Sequence, residues 1–154
     1  MEETAMSRWS VWTIAVGVAV LAAVSVAGAS HLKEQPKKHK VVYHLSDPEK
    51  TKFVLGNIEN NITGVGGVDN IEAIELVVHG PALRGFTTKT IDPEVKQTLE
   101  RLQKERVSFG ACGNTMKAFN ITLDQLPAGA HPLPQGGVVR IMELQEQGYA
   151  YIRP

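Results

Sequence analysis

The run Ile71 to Val78, IEAIELVV, constrains this chain most, being nearly continuous in apolar residues apart from Glu72 and Glu75. Such a strand is buried on both faces over much of its length, and strands of that kind belong to parallel sheets covered by helices. The segments around it repeat the requirement. Val41-Val42-Tyr43-His44-Leu45 is β-rich, and Val107-Ser108-Phe109-Gly110-Ala111 is a short third strand. Asp47-Pro48-Glu49 and Asp92-Pro93-Glu94 each supply a capping carboxylate followed by proline at the first helical position. Leu55, Ile58 and Ile62 are spaced for one helical face, as are Val95, Leu99 and Leu102. Gly64, Gly66 and Gly67 end the first helix in a turn, and His79-Gly80-Pro81 opens a polar connection that runs to Thr90. Cys112-Gly113-Asn114-Thr115 turns into a third helix carrying Met116, Ala118 and Phe119. Leu126-Pro127 and Leu133-Pro134 bracket a loop with a short extended piece. Val138, Ile141 and Met142 mark a last helix that Gly148 ends, and Tyr149 to Ile152 reads as a final strand. Strands alternating with helices predict a three-layer α/β domain over residues 40–154, with right-handed crossovers and helices on both faces of a mostly parallel sheet.

Composition narrows the function. The 154 residues carry 16 basic and 16 acidic side chains, so no net charge marks a nucleic-acid partner, and none is expected. One cysteine excludes an internal disulfide framework and a four-thiolate zinc site. The run from Gly64 to Gly67 is no phosphate-binding loop, because it ends a helix and no Gly-Lys-Ser/Thr follows. Asn61-Ile62-Thr63 and Asn120-Ile121-Thr122 are glycosylation sequons only in a glycosylating host.

Ahead of the domain, Trp9 to Ser30 contains no charged residue. A helix through it rises roughly 1.5 Å per residue, enough to cross a hydrocarbon core of about 30 Å. Residues 1–30 therefore read as a signal peptide or a single transmembrane anchor, with membrane contact through 9–30, and 31–39 as a basic linker. Ala27-Gly28-Ala29 fits a secretory cleavage pattern, whereas the length of the apolar run favours a retained anchor. Glu2 and Glu3 are unusual at the start of a signal; a start at Met6 gives the basic Met-Ser-Arg instead. Lys33, Lys37, Lys38 and Lys40 would hold the domain on the cytoplasmic side by the positive-inside rule. The signal-like end at Ala29 points to export, and the periplasmic side is the expectation.

Ligands of open α/β sheets bind outside the carboxyl ends of the strands. His44, His79 and Cys112 each fall at such an end. Cys112 lies where a strand passes into a helix, so free N–H groups favour its thiolate, the reactive form. Gly113 leaves room for substrate, and Asn114 and Thr115 are placed to donate hydrogen bonds to a bound anion or persulfide. His79 is a candidate to tune the thiol or move a proton, and His44 to contact substrate. Three readings compete: a reactive thiol; an oligomeric binding or accessory subunit with Cys112 silent; and a copper or zinc site of His44, His79 and Cys112. His131 reads as a loop contact.

The stretches KVVYHLSDPEK at 40–50, VVHGPAL at 77–83, VSFGACGNTMKAFNIT at 107–122 and GGVVRIMELQEQGYAYIRP at 136–154 resemble the DsrE/DsrF-like family of small sulfur-relay proteins, in its exported or membrane-linked branch. The resemblance implies a flavodoxin-like fold with a five-stranded, mainly parallel sheet, and homo-oligomers such as trimers or hexamers. It also implies a sulfur-carrier cysteine at the strand-to-helix junction, which falls on Cys112, with a sulfur donor or acceptor protein as partner. That chemistry calls for no cofactor.

Overall fold

The computed structural model describes residues 38–154. The expected hydrophobic helix and most of the basic linker lie outside them. Among the described residues no helix is long and apolar enough to cross a membrane.

The domain runs β1 (His39–Leu45), α1 (Thr51–Gly64), β2 (Ile71–Val78), α2 (Pro93–Lys104), β3 (Val107–Cys112), α3 (Gly113–Phe119), β4 (Ala130–Leu133), α4 (Gly137–Glu146) and β5 (Ala150–Ile152). The strands form one sheet in the order β4-β3-β2-β1-β5, and every neighbouring pair is parallel. Asp92 accepts from the N–H groups of Glu94 and Val95 at 2.8 and 3.3 Å, a cap worth about 1 kcal/mol. Asp47 accepts from Glu49 N–H at 2.9 Å in a short 3-10 turn that leads into α1.

Strand alternation divides the core in two. Val41, Tyr43, Leu45, Leu76, Val78, Phe109 and Ala111 face α1 and α2, with Met116 and Phe119 of α3 packed against the same cluster. Val42, Val77 and Leu133 face the other way, against Ile141 and Leu144 of α4. The chain steps from β1 to β4 in one direction and returns across the whole sheet to β5. Right-handed crossovers therefore leave three helices on one face and α4 alone on the other.

Two details depart from expectation, and the sequence leaves a third, the face of α4, open. Gly80–Phe86 is a 3-10 helix rather than a polar connection, and its Ala82, Leu83 and Phe86 are buried in the larger core. The last strand begins at Ala150, because Tyr149 packs into the smaller core. In α4 the inward row is Gly137, Ile141 and Leu144, so Val138 and Met142 are 67% and 53% exposed. The reason is that α4 meets the sheet closest at a glycine, which fixes the inward face one residue before the apolar pair.

A buried carboxylate secures α4. Glu75 interrupts the apolar β2 and is 4% exposed. Arg140 reaches it from α4 as a fork, with Nε and Nη2 donating at 3.0 and 2.8 Å. On β4, His131 Nε2 lies 3.6 Å from the same carboxylate, and its Nδ1 is 3.5 Å from Ser108 Oγ. A Cβ at Gly110 would stand 3.0 Å from Glu75 Oε1, so the absence of a side chain there admits the ion pair.

Candidate functional site

The alternation that puts Val42 and Val77 under α4 puts His44, His79 and Cys112 on that same side, at the carboxyl ends of three adjacent strands. Cys112 is the last residue of β3 and the cap residue of α3, and it is buried at 6% exposure. Its Sγ accepts the N–H of Gly137, the first residue of α4, at 3.2 Å. The Thr115 hydroxyl accepts from Gly80 N–H at 2.9 Å, which leaves its own proton for the sulfur. Burial pushes the Cys112 thiol up. Hydrogen bonds from the Thr115 hydroxyl and from the N–H groups of Gly137, Thr115 and Asn114 more than offset it, so the thiol titrates below its ordinary range. The sulfur thus sits between the first turns of two helices, where a negative charge is stabilised.

Two glycines make this possible. A Cβ on Gly113 would lie 2.7 Å from the Leu133 carbonyl oxygen and 3.2 Å from Pro134 Cα. The room left by its missing side chain is therefore taken by main chain from the end of β4, not kept for substrate. A Cβ on Gly137 would lie 3.2 Å from Val77 Cγ1, 3.3 Å from His79 Cβ and 3.4 Å from Cys112 Cβ. Gly137→Ala is accordingly expected to lift the first turn of α4 from the sulfur and raise the thiol pKa, because a hydrogen bond to the charged form is weakened. Thiolate absorbance followed across pH, with the Cys112→Ser chain as blank, measures the shift.

The imidazoles form a second arrangement beside the sulfur. His44 Nε2 meets His79 Nε2 at 2.5 Å with the rings stacked, and His44 Nδ1 meets the Tyr151 hydroxyl at 2.7 Å. Burial lowers the His44 pKa to about 4, with help from His79 and the Arg153 guanidinium. His79 is lowered too, by burial and then by Arg153. Both rings are neutral near pH 7, joined into a chain that ends on the 41% exposed Tyr151. Because the folded pKa of His44 lies below the unfolded 6.5, acid loads protons onto the unfolded chain first. The stability due to neutral His44 is complete above pH 6.5 and drains as pH falls towards about 4. Urea midpoints measured across that window are expected to fall more steeply for the wild type than for His44→Gln.

The structure thus brings Cys112, the Asn114 N–H and the Thr115 hydroxyl together, with His79 adjoining through Gly137. His79 turns its ring to His44 rather than to the sulfur. The Asn114 side chain lies instead against Gly136. No three His, Cys, Asp or Glu side chains group to hold a metal ion among the described residues, so the three-residue metal reading finds no ligand set. His131 is a strand residue of the Glu75 cluster, not a loop contact. Sequence reasoning missed Gly137, Tyr151 and Arg153. The adjacent Gly136-Gly137 at a helix start was the available signal for the first; nothing local marks the other two.

No curated protein matches the chain significantly. Among solved structures it is similar to protein MTH1491 of Methanobacterium thermoautotrophicum, of unknown function, at 27% identity and a TM-score of 0.66, covering 76% of this chain and 100% of that one. The ychN protein of E. coli shares the fold at 16% identity and a TM-score of 0.58, covering 75% of this chain and 99% of its own. Protein BT1422 of Bacteroides thetaiotaomicron shares it at 13% identity and a TM-score of 0.55, covering 75% and 95%. The model of the DsrE/DsrF-like family matches residues 40–154, all five strands but for the first residue of β1, together with the whole Cys112 site. The chain belongs to the DsrE/DsrF-like family.

Proposed function

We propose that the protein carries sulfane sulfur as a persulfide on Cys112 and passes it to an acceptor thiol. The observation behind the reading is the set of donors around Sγ, three N–H groups and one hydroxyl, which supports an anionic sulfur in a buried place. In the loading step the Cys112 thiolate attacks the outer sulfur of a polysulfide. The Cys112 S–S bond forms, an S–S bond of the donor breaks, and the shortened polysulfide leaves with the electron pair. In the transfer step an acceptor thiolate attacks the outer sulfur, and Cys112 departs as the thiolate that the same donors hold. His79 takes the proton of an acceptor arriving as a thiol, and His44 and Tyr151 pass it towards solvent. The near-complete burial of Cys112 favours a slender donor such as polysulfide over a bulky electrophile. The uncharged run 9–30 supports a site at a membrane or beyond it, and the periplasmic side is our reading.

Cyanide tests the reading, because it attacks a persulfide to give thiocyanate and the free thiolate. Polysulfide-treated, desalted protein is expected to yield about one thiocyanate per chain, as its single cysteine allows. None above background would refute sulfur carriage. A second reading, a non-catalytic subunit of an oligomeric or membrane-held assembly, is favoured by the exposed Val138, Val139 and Met142 of α4. It predicts that null result.

A further inference from the structure

A groove runs along α3, and no histidine lines it. One cavity of about 460 Å³ is lined by Gly113, Met116, Lys117 and Pro134, and a second of about 410 Å³ by Arg84, Lys89 and Phe119. Both are lined by Asn120 and Ile121, so they adjoin at the end of α3, where Asn120 adopts the left-handed conformation. Three cations line the groove and no carboxylate does. Arg84, Lys89 and Lys117 enter no ion pair among the described residues, although most other basic side chains there do. The Arg84 guanidinium is held 3.8 Å over the Phe119 ring, a cation–π contact that fixes the charge at the groove's rim. The net charge of the chain is zero, so this stripe is a local concentration rather than part of a basic protein.

We infer that this groove docks an extended acidic segment of a partner protein, with carboxylates on Arg84, Lys89 and Lys117 and apolar side chains against Met116, Phe119 and Ile121. Charge complementarity selects the partner, and the apolar floor sets its register. The groove begins at Gly113, one residue beyond Cys112, so a docked segment brings its chain to the rim of the sulfur site. That last consequence rests on the persulfide reading; the docking itself does not.

Fluorescence anisotropy of the full chain in detergent micelles, corrected for empty micelles, tests the inference with a labelled peptide alternating Glu and Leu. The acidic peptide is expected to bind and to weaken as salt is raised. Binding should fall at least tenfold in the Arg84→Glu, Lys89→Glu, Lys117→Glu chain. That chain should instead take the matching peptide of Lys and Leu, which shows that it remains folded. Three results would overturn the inference: equal acidic-peptide binding by both chains, equal binding of a Ser and Leu peptide, or full displacement by inorganic phosphate, the mark of a small-anion site. The Cys112→Ala chain should bind like the wild type, so a failure here leaves sulfur carriage untouched and a failure of sulfur carriage leaves docking untouched.

Discussion

The Cys112→Ser chain is expected to give no thiocyanate after polysulfide and cyanide while unfolding at nearly the wild-type urea concentration. The loss is complete because no second cysteine can take the sulfur. A serine hydroxyl, unlike the thiol, stays protonated in a field of four donors and does not attack a sulfane atom. The fold is spared because the oxygen is smaller than the sulfur at a buried position and accepts the same N–H of Gly137. A stability cost of about 1 kcal/mol is the expected scale for such a change. Retained thiocyanate would show that another group carries the sulfur; loss of the folded transition would make the substitution uninformative, and Cys112→Ala would replace it.

Arg140→Leu is expected to have the largest effect on stability. Glu75 is almost fully buried, and its two oxygens are held by the Arg140 fork. Removing one partner of a buried pair strands the other charge, at a typical cost of 3–5 kcal/mol. About 3 kcal/mol is the expectation here, because the Arg140 side chain keeps 27% exposure and His131 stands near the same carboxylate. Equilibrium unfolding in urea measures it. Replacing both partners, as Glu75→Leu with Arg140→Leu, should recover much of the loss. The single substitution should also reach the sulfur. Arg140 is one turn beyond Gly136 and Gly137 on α4, the only helix over that face among the described residues, and a loosened α4 carries its first N–H away from Cys112.

Much of this was legible in the chain itself, for identifiable reasons. The twofold-buried β2 and the two Asp-Pro-Glu helix starts depend on local spacing and capping, and the elements they predict are present. The convergence of His44, His79 and Cys112 at one sheet edge followed from parallel topology, since all three end their strands on the same side. The strand order did not, because it depends on the long return from β4 to β5. The inward face of α4 was not legible for a related reason: the close approach at Gly137 decides it, so Ile141 faces in while Val138 and Met142 face out. The His44–His79–Tyr151 chain was invisible because β5 lies next to β1 only through that return, more than a hundred residues away in sequence. Glu75 was visible as an exception in an apolar strand, but its partner Arg140 needed the crossover to be placed.

Everything proposed for the site turns on whether Cys112, hydrogen-bonded by the first turns of α3 and α4, accepts one sulfane sulfur. Intact-mass spectrometry of the full chain after brief exposure to polysulfide tests it most directly, with Cys112→Ala treated alongside. A mass increase of one sulfur atom is expected on the wild type, absent from the variant and reversed by a thiol reductant. An unchanged wild-type mass, or an equal increase on both chains, would contradict it.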